Sequence, residues 1–286
     1  MPFLVSSNEQ SFWHKLLKVE NMTAPLDQLL WQDYLNKRWG IKADLSPLDG
    51  EFDLNYLAKS ADGRCYIVKV MREDCPHWLV DAQITALEHI HHKSPETPVP
   101  RVEYSLNFEG VEVVHDQNGK ERLMWVIEHL PGQCYAKAAP KTPRLAHALG
   151  RVLGKTAKAL SDYQNDYLRR DFKWDLMQSD WIKDHINVIN TTERCALISE
   201  IVAEFEVRKT ILEDLDMQVV HNDANDYNIL ITGHLSEPRQ ISGLIDFGDM
   251  CIAPRVCDLA IAAAYIVLDH TRPTEMLTAF VVGYHK

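Results

Sequence analysis

One stretch constrains this chain more than any other: Val219-Val220-His221-Asn222-Asp223-Ala224-Asn225-Asp226-Tyr227-Asn228-Ile229-Leu230-Ile231. Two apolar runs of strand-like character bracket a polar loop. Within that loop His221, Asp223 and Asn228 stand in the order His-x-Asp-x4-Asn. Further along, another apolar run ends in Gly243-Leu244-Ile245-Asp246-Phe247-Gly248-Asp249. Any fold for this chain must present two carboxylates and an amide beside short strand-like runs.

Phosphoryl transfer asks little covalent chemistry of a protein. It needs a carboxylate to orient and deprotonate a hydroxyl, and oxygen ligands that hold magnesium on the phosphates of a nucleotide. The spacing here supplies those parts in the required order. Asp223 is therefore the candidate base, Asn228 and Asp246 the candidate magnesium ligands, and His221 a loop-positioning residue. Either motif alone is an ordinary chance loop; their joint occurrence beside strand-like runs carries the reading.

The rest of the chain divides in character. Pro25 to Arg38 reads as a helix, opened by Pro25 and ended by Gly40, with Leu26, Leu29, Leu30 and Leu35 on one face. Glu51–Lys59 and Arg64–Met71 read as strands joined by Asp62-Gly63, a hairpin signal. Val80 to His91 is helical in period, and Asn118-Gly119 marks a second hairpin between Val111–His115 and Arg122–Ile127. Beyond Leu130-Pro131-Gly132, helical patterns dominate. Thr142-Pro143 opens a long one, and Trp181–Ile189, Leu197–Leu212, Leu259–Leu268 and Glu275–Val282 follow. These patterns predict an α+β chain: an antiparallel β-rich lobe over 1–127, a junction at 128–134, and a mainly helical lobe over 135–286.

Composition narrows the partners. A formal net charge of −11 argues against nucleic acid or an anionic membrane, both of which call for basic patches. The six cysteines form no C-x-x-C pair, so free thiols in a reducing compartment are expected. The amino-terminal stretch shows no basic segment followed by an unbroken apolar one, and no apolar run reaches bilayer length. The expected location is cytoplasmic.

On the nucleotide side, Lys69 in Val68-Lys69-Val70 is the candidate lysine for the phosphates, although a lysine on a strand edge is also read as simply solvated. Gly50 lies in Leu48–Asn55, where a loop covering phosphates is expected, but one glycine offers little backbone approach. Gln83, on the Leu87/Ile90 face of the following helix, occupies the position of a partner for Lys69; an amide cannot form an ion pair.

Leu48–Val70, Val126–Gly132, His221–Ile231 and Gly243–Asp249 together resemble the aminoglycoside/choline/homoserine phosphotransferase superfamily, whose lobes follow the protein-kinase plan. Within it, Phe172-Lys173-Trp174-Asp175-Leu176, Asn225–Ile231 and Ser242–Met250 are similar to hydroxylysine kinases. The resemblance spans about Leu45 to the last residue. It implies the roles given above for Asp223, Asn228, Asp246 and Lys69. It also implies that the backbone of Glu128, His129 and Leu130 receives the purine of ATP or GTP. Gln83 departs from the glutamate common in the superfamily. Relatives continue past Lys286 with further helices, and bacterial ones are often fused to a class III aminotransferase-like domain, so such a fusion is an implied partner.

The acceptor implied is a small amine-bearing alcohol, with hydroxylysine leading and homoserine, choline, ethanolamine or an aminoglycoside as alternatives. A nucleotide-binding module without turnover is the alternative of another class. Asp226 and Asp249 are candidates for binding a substrate ammonium, Asp249 serving equally as a structural acceptor. Trp174 is a candidate for capping a cation, as are Trp181 and Tyr163, with packing the commoner role of such rings. Asp258 is read as a brace for the catalytic loop. The run Glu88, His89, His91 and His92 is read as a polar surface rather than a metal site.

Overall fold

The computed structural model describes residues 25–50, 52–233 and 239–286. The stretch read for a leader, and Glu51 at the head of one expected strand, lie outside the described residues. Contacts divide the chain into two units. One combines residues up to Pro76 with Glu103–His129, the other His77–Val102 with Leu130–Lys286. One boundary between the units falls at His129/Leu130.

In the first unit, α1 (Pro25–Tyr34) runs into a single π turn (Leu35–Trp39) that Gly40 ends at φ 70°, a left-handed conformation suited to glycine. The strands β1 (Ala43–Leu48), β2 (Leu54–Ser60), β3 (Cys65–Val70), β5 (Val111–His115) and β6 (Glu121–Glu128) form an antiparallel sheet. Its order is β1-β2-β3-β6, with β5 paired to β6. Both hairpin signals are realised: Gly63 and Gly119 take φ values of 86° and 76° at the two turns. Strand β1 was not expected. It carries Pro47, a residue that discourages a ladder position and is tolerated on an edge, and among the described residues β1 pairs on its β2 side alone. Trp31, Leu35 and Trp39 pack with Tyr56, Val68 and Val126 to form the core of this unit. The period-2 pattern of β3 buries Tyr66, Val68 and Val70 and leaves Cys65, Ile67 and Lys69 on the opposite face.

The second unit begins with α2 (His77–Lys93), longer than the Val80–His91 read from its period. This helix was expected among the strands of the first lobe; its contacts group it instead with the later helices. The two residues of β4 (Val102–Glu103) mark the seam between the units. Next come β7 (Gln133–Cys134), α3 (Pro143–Ala159) and α4 (Thr192–Glu213). Thr142 caps α3 by accepting the Leu145 N–H at 3.2 Å. The segment Trp181–Ile189, expected as one helix, is instead a series of single turns. Strands β8 (Met217–Val220), β9 (Ile229–Thr232), β10 (Gln240–Leu244) and β11 (Cys251–Pro254) follow, then α5 (Arg255–Val267) and α6 (Pro273–Tyr284).

Two small pairings carry the loops of interest. β8 pairs with β11, and β9 pairs with both β10 and β7. Gly132 is required where the chain enters this unit: φ is 136°, and a Cβ there would stand 2.6 Å from the Ile231 carbonyl oxygen. Helices α3 and α6 approach closely enough that a Cβ on Gly150 would lie 2.1 Å from the Phe280 carbonyl oxygen. No helix among the described residues is long and apolar enough to cross a membrane, and all six cysteines are free thiols.

Candidate active site

The loop between β8 and β9 is held in shape by its own side chains. The Asn225 Oδ1 accepts the N–H groups of Tyr227 and Asn228 at 2.8 and 3.1 Å, the turn that asparagine favours. Its Nδ2 then donates to Asp223 Oδ1 at 2.8 Å. Asn228 Nδ2 donates to the other oxygen, Oδ2, at 2.7 Å and to the Asp223 carbonyl at 3.0 Å. Two amides thus fix both oxygens of one carboxylate.

His221 is fully buried. Its Nδ1 accepts the Asp223 N–H at 3.2 Å, and its Nε2 lies 3.1 Å from the Ile245 carbonyl oxygen. That arrangement selects the neutral imidazole with the proton on Nε2, and burial pushes its pKa down. The ring also packs edge-on against Phe247 at 4.6 Å between centroids. His221 therefore couples the Asp223 loop to the Ile245-Asp246-Phe247 segment. The Ile245 N–H adds a second tie, donating to the Asn228 carbonyl at 3.0 Å.

Asp258, at the start of α5, is wholly buried and accepts the N–H groups of His221 and Asn222 at 3.2 and 2.8 Å. Burial raises its pKa, while the His221 ring and these two donors oppose the rise. This is the bracing position expected for it. Asn222 and Asp246 both stand at φ 65°, a conformation that non-glycine residues hold at functional loops when the surroundings impose it.

Electrostatics single out Asp223. Partial burial raises its pKa to about 7; the amides of Asn225 and Asn228 oppose the shift, and repulsion from Asp249 and Asp246 adds to it. A carboxylate poised near neutrality has the proton affinity suited to a general base.

The remaining candidates in this unit are distributed as follows. Gln83 is buried and donates Nε2 to the Leu79 carbonyl at 3.1 Å. Its Oε1 lies 3.8 Å from where a Cβ on Gly248 would stand, and Asp246 Oδ1 lies 3.5 Å from that point. Asp226 lies 3.7 Å from the Lys141 ammonium, and its carbonyl accepts the Ala136 N–H at 2.8 Å; this ion pair was not foreseen. Trp174 is 55% exposed and meets Trp181 edge-on, while its carbonyl accepts Asn222 Nδ2 at 3.2 Å. Tyr163 is occupied elsewhere, bonded to Thr85 at 2.7 Å. In the His89 run, His89 faces Asp162 at 2.8 Å and His91 the Pro100 carbonyl at 3.2 Å.

In the first unit, Lys69 pairs across the sheet with Asn55 and Trp125, its Nζ 5.6 Å from the Trp125 ring centre. Glu128 ends β6 opposite Tyr66, and the His129 N–H donates to the Cys65 carbonyl at 3.3 Å. Gly50 lies in the connection from β1 to β2, where a Cβ would stand 2.5 Å from the Asp53 carbonyl oxygen. Leu130, first residue of the second unit, reaches to 3.0 Å from the Cβ position of Gly243.

Sequence reasoning missed Asn225, Asn222 and Arg170. Arg170 donates to the carbonyls of Gly248 and Met250 at 2.9 and 3.0 Å and so clamps the chain after Asp246. Asn225 was legible as a turn-forming asparagine; Arg170 offers no local signal. The donor set suits a hard divalent cation. The Asn228 amide nitrogen is spent on Asp223, which leaves its carbonyl oxygen, and Asp246 adds a carboxylate. Among the described residues no group of three or more His, Cys, Asp or Glu side chains forms a protein cage for a metal. A hard cation held by these two groups would draw its remaining ligands from phosphate oxygens or water.

A sequence profile described as the phosphotransferase enzyme family matches residues 44–286. The chain belongs to that family. It is an enzyme that transfers a phosphoryl group to a hydroxyl acceptor. Among curated proteins, this phosphotransferase is 22% identical over 270 residues to a hydroxylysine kinase of Xenopus laevis, covering 86% of this chain and 71% of that one. Among solved structures, it resembles amicoumacin kinase hAmiN in complex with AMP-PNP and Ca2+. There the TM-score is 0.67 and identity 17%, over 96% of this chain and 79% of the other. A microcompartment-associated aminopropanol kinase gives TM-score 0.63 and 20% identity, over 90% and 80%. The phosphotransferase thus has the expected α+β, protein-kinase-like fold. A fusion to an aminotransferase-like domain finds no support in these comparisons.

Proposed function

We propose that this phosphotransferase is a magnesium-dependent kinase of a small amine-bearing alcohol, with Asp223 as general base and hydroxylysine as the leading acceptor. The observation that carries the reading is the state of Asp223, whose two oxygens are fixed by Asn225 and Asn228 while burial and two neighbouring carboxylates raise its pKa to about 7. Such a group holds an acceptor hydroxyl in line and takes its proton as the oxygen attacks the γ-phosphorus of ATP or GTP. Asn228 and Asp246 would hold magnesium, whose chemistry is to bridge and neutralise the phosphate oxygens. Lys69, the Gly50 connection and the backbone of Glu128, His129 and Leu130 take the nucleotide, with Gln83 a neutral neighbour of the Asp246 loop.

The acceptor assignment rests on chemistry and likeness together. Asp249 lies near enough to repel Asp223 and would attract an ammonium, Trp174 offers an exposed ring to a cation, and Asp226 shares its charge with Lys141. Hydroxylysine kinase and aminopropanol kinase, the names borne by two similar proteins, both point to an alcohol that carries an amine. Free thiols are in keeping with a cytoplasmic location.

The test is acceptor-dependent consumption of ATP and of GTP. The panel is hydroxylysine, 1-amino-2-propanol, ethanolamine, choline, homoserine and an aminoglycoside, on the parent and on Asp223→Asn. The expected result is turnover with an amino-alcohol, reduced about 10²–10⁴-fold in Asp223→Asn, the usual worth of a general base, with nucleotide binding retained. Full turnover by Asp223→Asn would remove the base assignment, and turnover with another acceptor but none with hydroxylysine would remove the substrate.

A further inference from the structure

A second concavity lies in the second unit, and its lining includes no residue of the Asp223 loop. A cavity of about 490 Å3 is lined by Arg144, His147, Arg151 and Lys155 of α3, by Arg239 ahead of β10, and by Glu96 from the loop after α2. The α3 positions recur at three- and four-residue spacing, so they project from one face of the helix. In a chain of net charge −11, four cations and a histidine around one cavity reverse the local sign.

The single carboxylate does not neutralise the group. Glu96 is already engaged by Lys155 at 2.7 Å. Arg239 donates to the carbonyls of Pro140, at 3.1 Å, and Ala139; these fix the guanidinium without cancelling its charge. Among the described residues, neither Arg144 nor Arg151 forms an ion pair with a carboxylate, and both are exposed. Two guanidinium forks with unspent donors match an anion that offers several oxygens and two charges, since each fork can take a pair of oxygens. The rest of the lining is Pro98, Ala148, Val152 and Ile241, which are apolar, and the amide of Gln240. A volume of this size is that of a small-molecule site, so there is room for an apolar body beside the charged group.

We infer that this cavity is an anion site that takes a phosphate dianion, free or as the monoester of a small molecule. The monoester class includes the products of the enzyme's own family chemistry, and free phosphate is the other source of the same group. The two are separated by comparing inorganic phosphate with n-butyl phosphate: the ester binds more tightly if the apolar lining is used, and equally if only the phosphate is recognised.

The experiment is calorimetric titration of the full chain, free of nucleotide and metal, at ionic strength held constant with sodium chloride. Inorganic phosphate and n-butyl phosphate are the probes. Arg144→Gln/Arg151→Gln removes the two unspent guanidinium groups, Arg151→Gln alone is the milder variant, and Arg194→Gln is the control on α4. Unchanged thermal unfolding of the variants shows that they fold. The expected result is saturable binding in the parent, at least tenfold weaker in the double variant, intermediate in Arg151→Gln, and unchanged in Arg194→Gln. Equal affinity in parent and double variant would overturn the site, because the phosphate would then be bound elsewhere. Heats no larger than those of chloride would overturn it as well.

Discussion

Asn222 separates what the backbone of the β8–β9 loop requires from what a side chain adds. Its φ of 65° is the conformation glycine adopts freely and other residues adopt at a cost. Its N–H donates to Asp258 and its Nδ2 to the Trp174 carbonyl. Its Oδ1 is buried without a partner among the described residues. Asn222→Ala removes the side-chain bond, about 1 kcal/mol. It also places in the left-handed region a residue without asparagine's local polar compensation, about 1 kcal/mol more. Loss of the unpaired Oδ1 returns a few tenths, so the sum is about 2 kcal/mol. Asn222→Gly loses the same bond and about 0.5–1 kcal/mol through the freer unfolded chain, but removes the left-handed cost. Its sum is about 1 kcal/mol. Glycine should therefore be the milder substitution by about 1 kcal/mol, against the usual ranking in which alanine is the safer replacement. Urea unfolding of parent and both variants, followed by far-ultraviolet circular dichroism, measures the difference at equal m-values. An alanine variant as stable as the glycine one would refute the argument that strain at this position shapes the loop.

Three further outcomes follow from the same site. Asp258→Asn replaces one of two acceptors facing the His221 and Asn222 N–H groups with a donor, so it should cost about 2–4 kcal/mol; a loss below about 1 kcal/mol in chemical unfolding would contradict the bracing role. If Asn228 and Asp246 supply part of a magnesium coordination shell, chelation of divalent cations should weaken nucleotide binding sharply; equal nucleotide affinity with and without magnesium, by titration, would count against these ligands. In metal-free protein the Asp223 carboxyl should titrate near 7 by carbon NMR, and Asp246→Asn should move it downward by removing a repelling charge. The folded pKa lies above the unfolded value of 3.8, so this group's contribution to stability is present at low pH and is lost as pH rises from about 4 through about 7. An upward movement of the titration in Asp246→Asn would refute the sign.

The parts of this protein that could be read from sequence are those whose geometry is local. The two glycine-bearing hairpins close over adjacent residues, so spacing alone announced them; the Asn225 turn, which bonds Tyr227 and Asn228 within four residues, was equally local although it was not singled out. The long helices α2, α3, α5 and α6 showed their apolar period for the same reason, and α3 its Thr142-Pro143 opening. What the sequence could not disclose depends on partners far along the chain. Strand β1, with its proline, becomes a strand only because β2 offers it a ladder. Helix α2 reads as an insertion among strands, yet its contacts group it with elements after Leu130. Asp226 meets Lys141, and Arg170 reaches the carbonyls of Gly248 and Met250. No local pattern specifies such pairings, because a hydrogen bond or ion pair between distant residues is set by where packing brings them. The sequence alone therefore marked out the polar groups of the β8–β9 loop and the Asp246 segment, and the tertiary structure decided how Asp223 is buried and hydrogen-bonded.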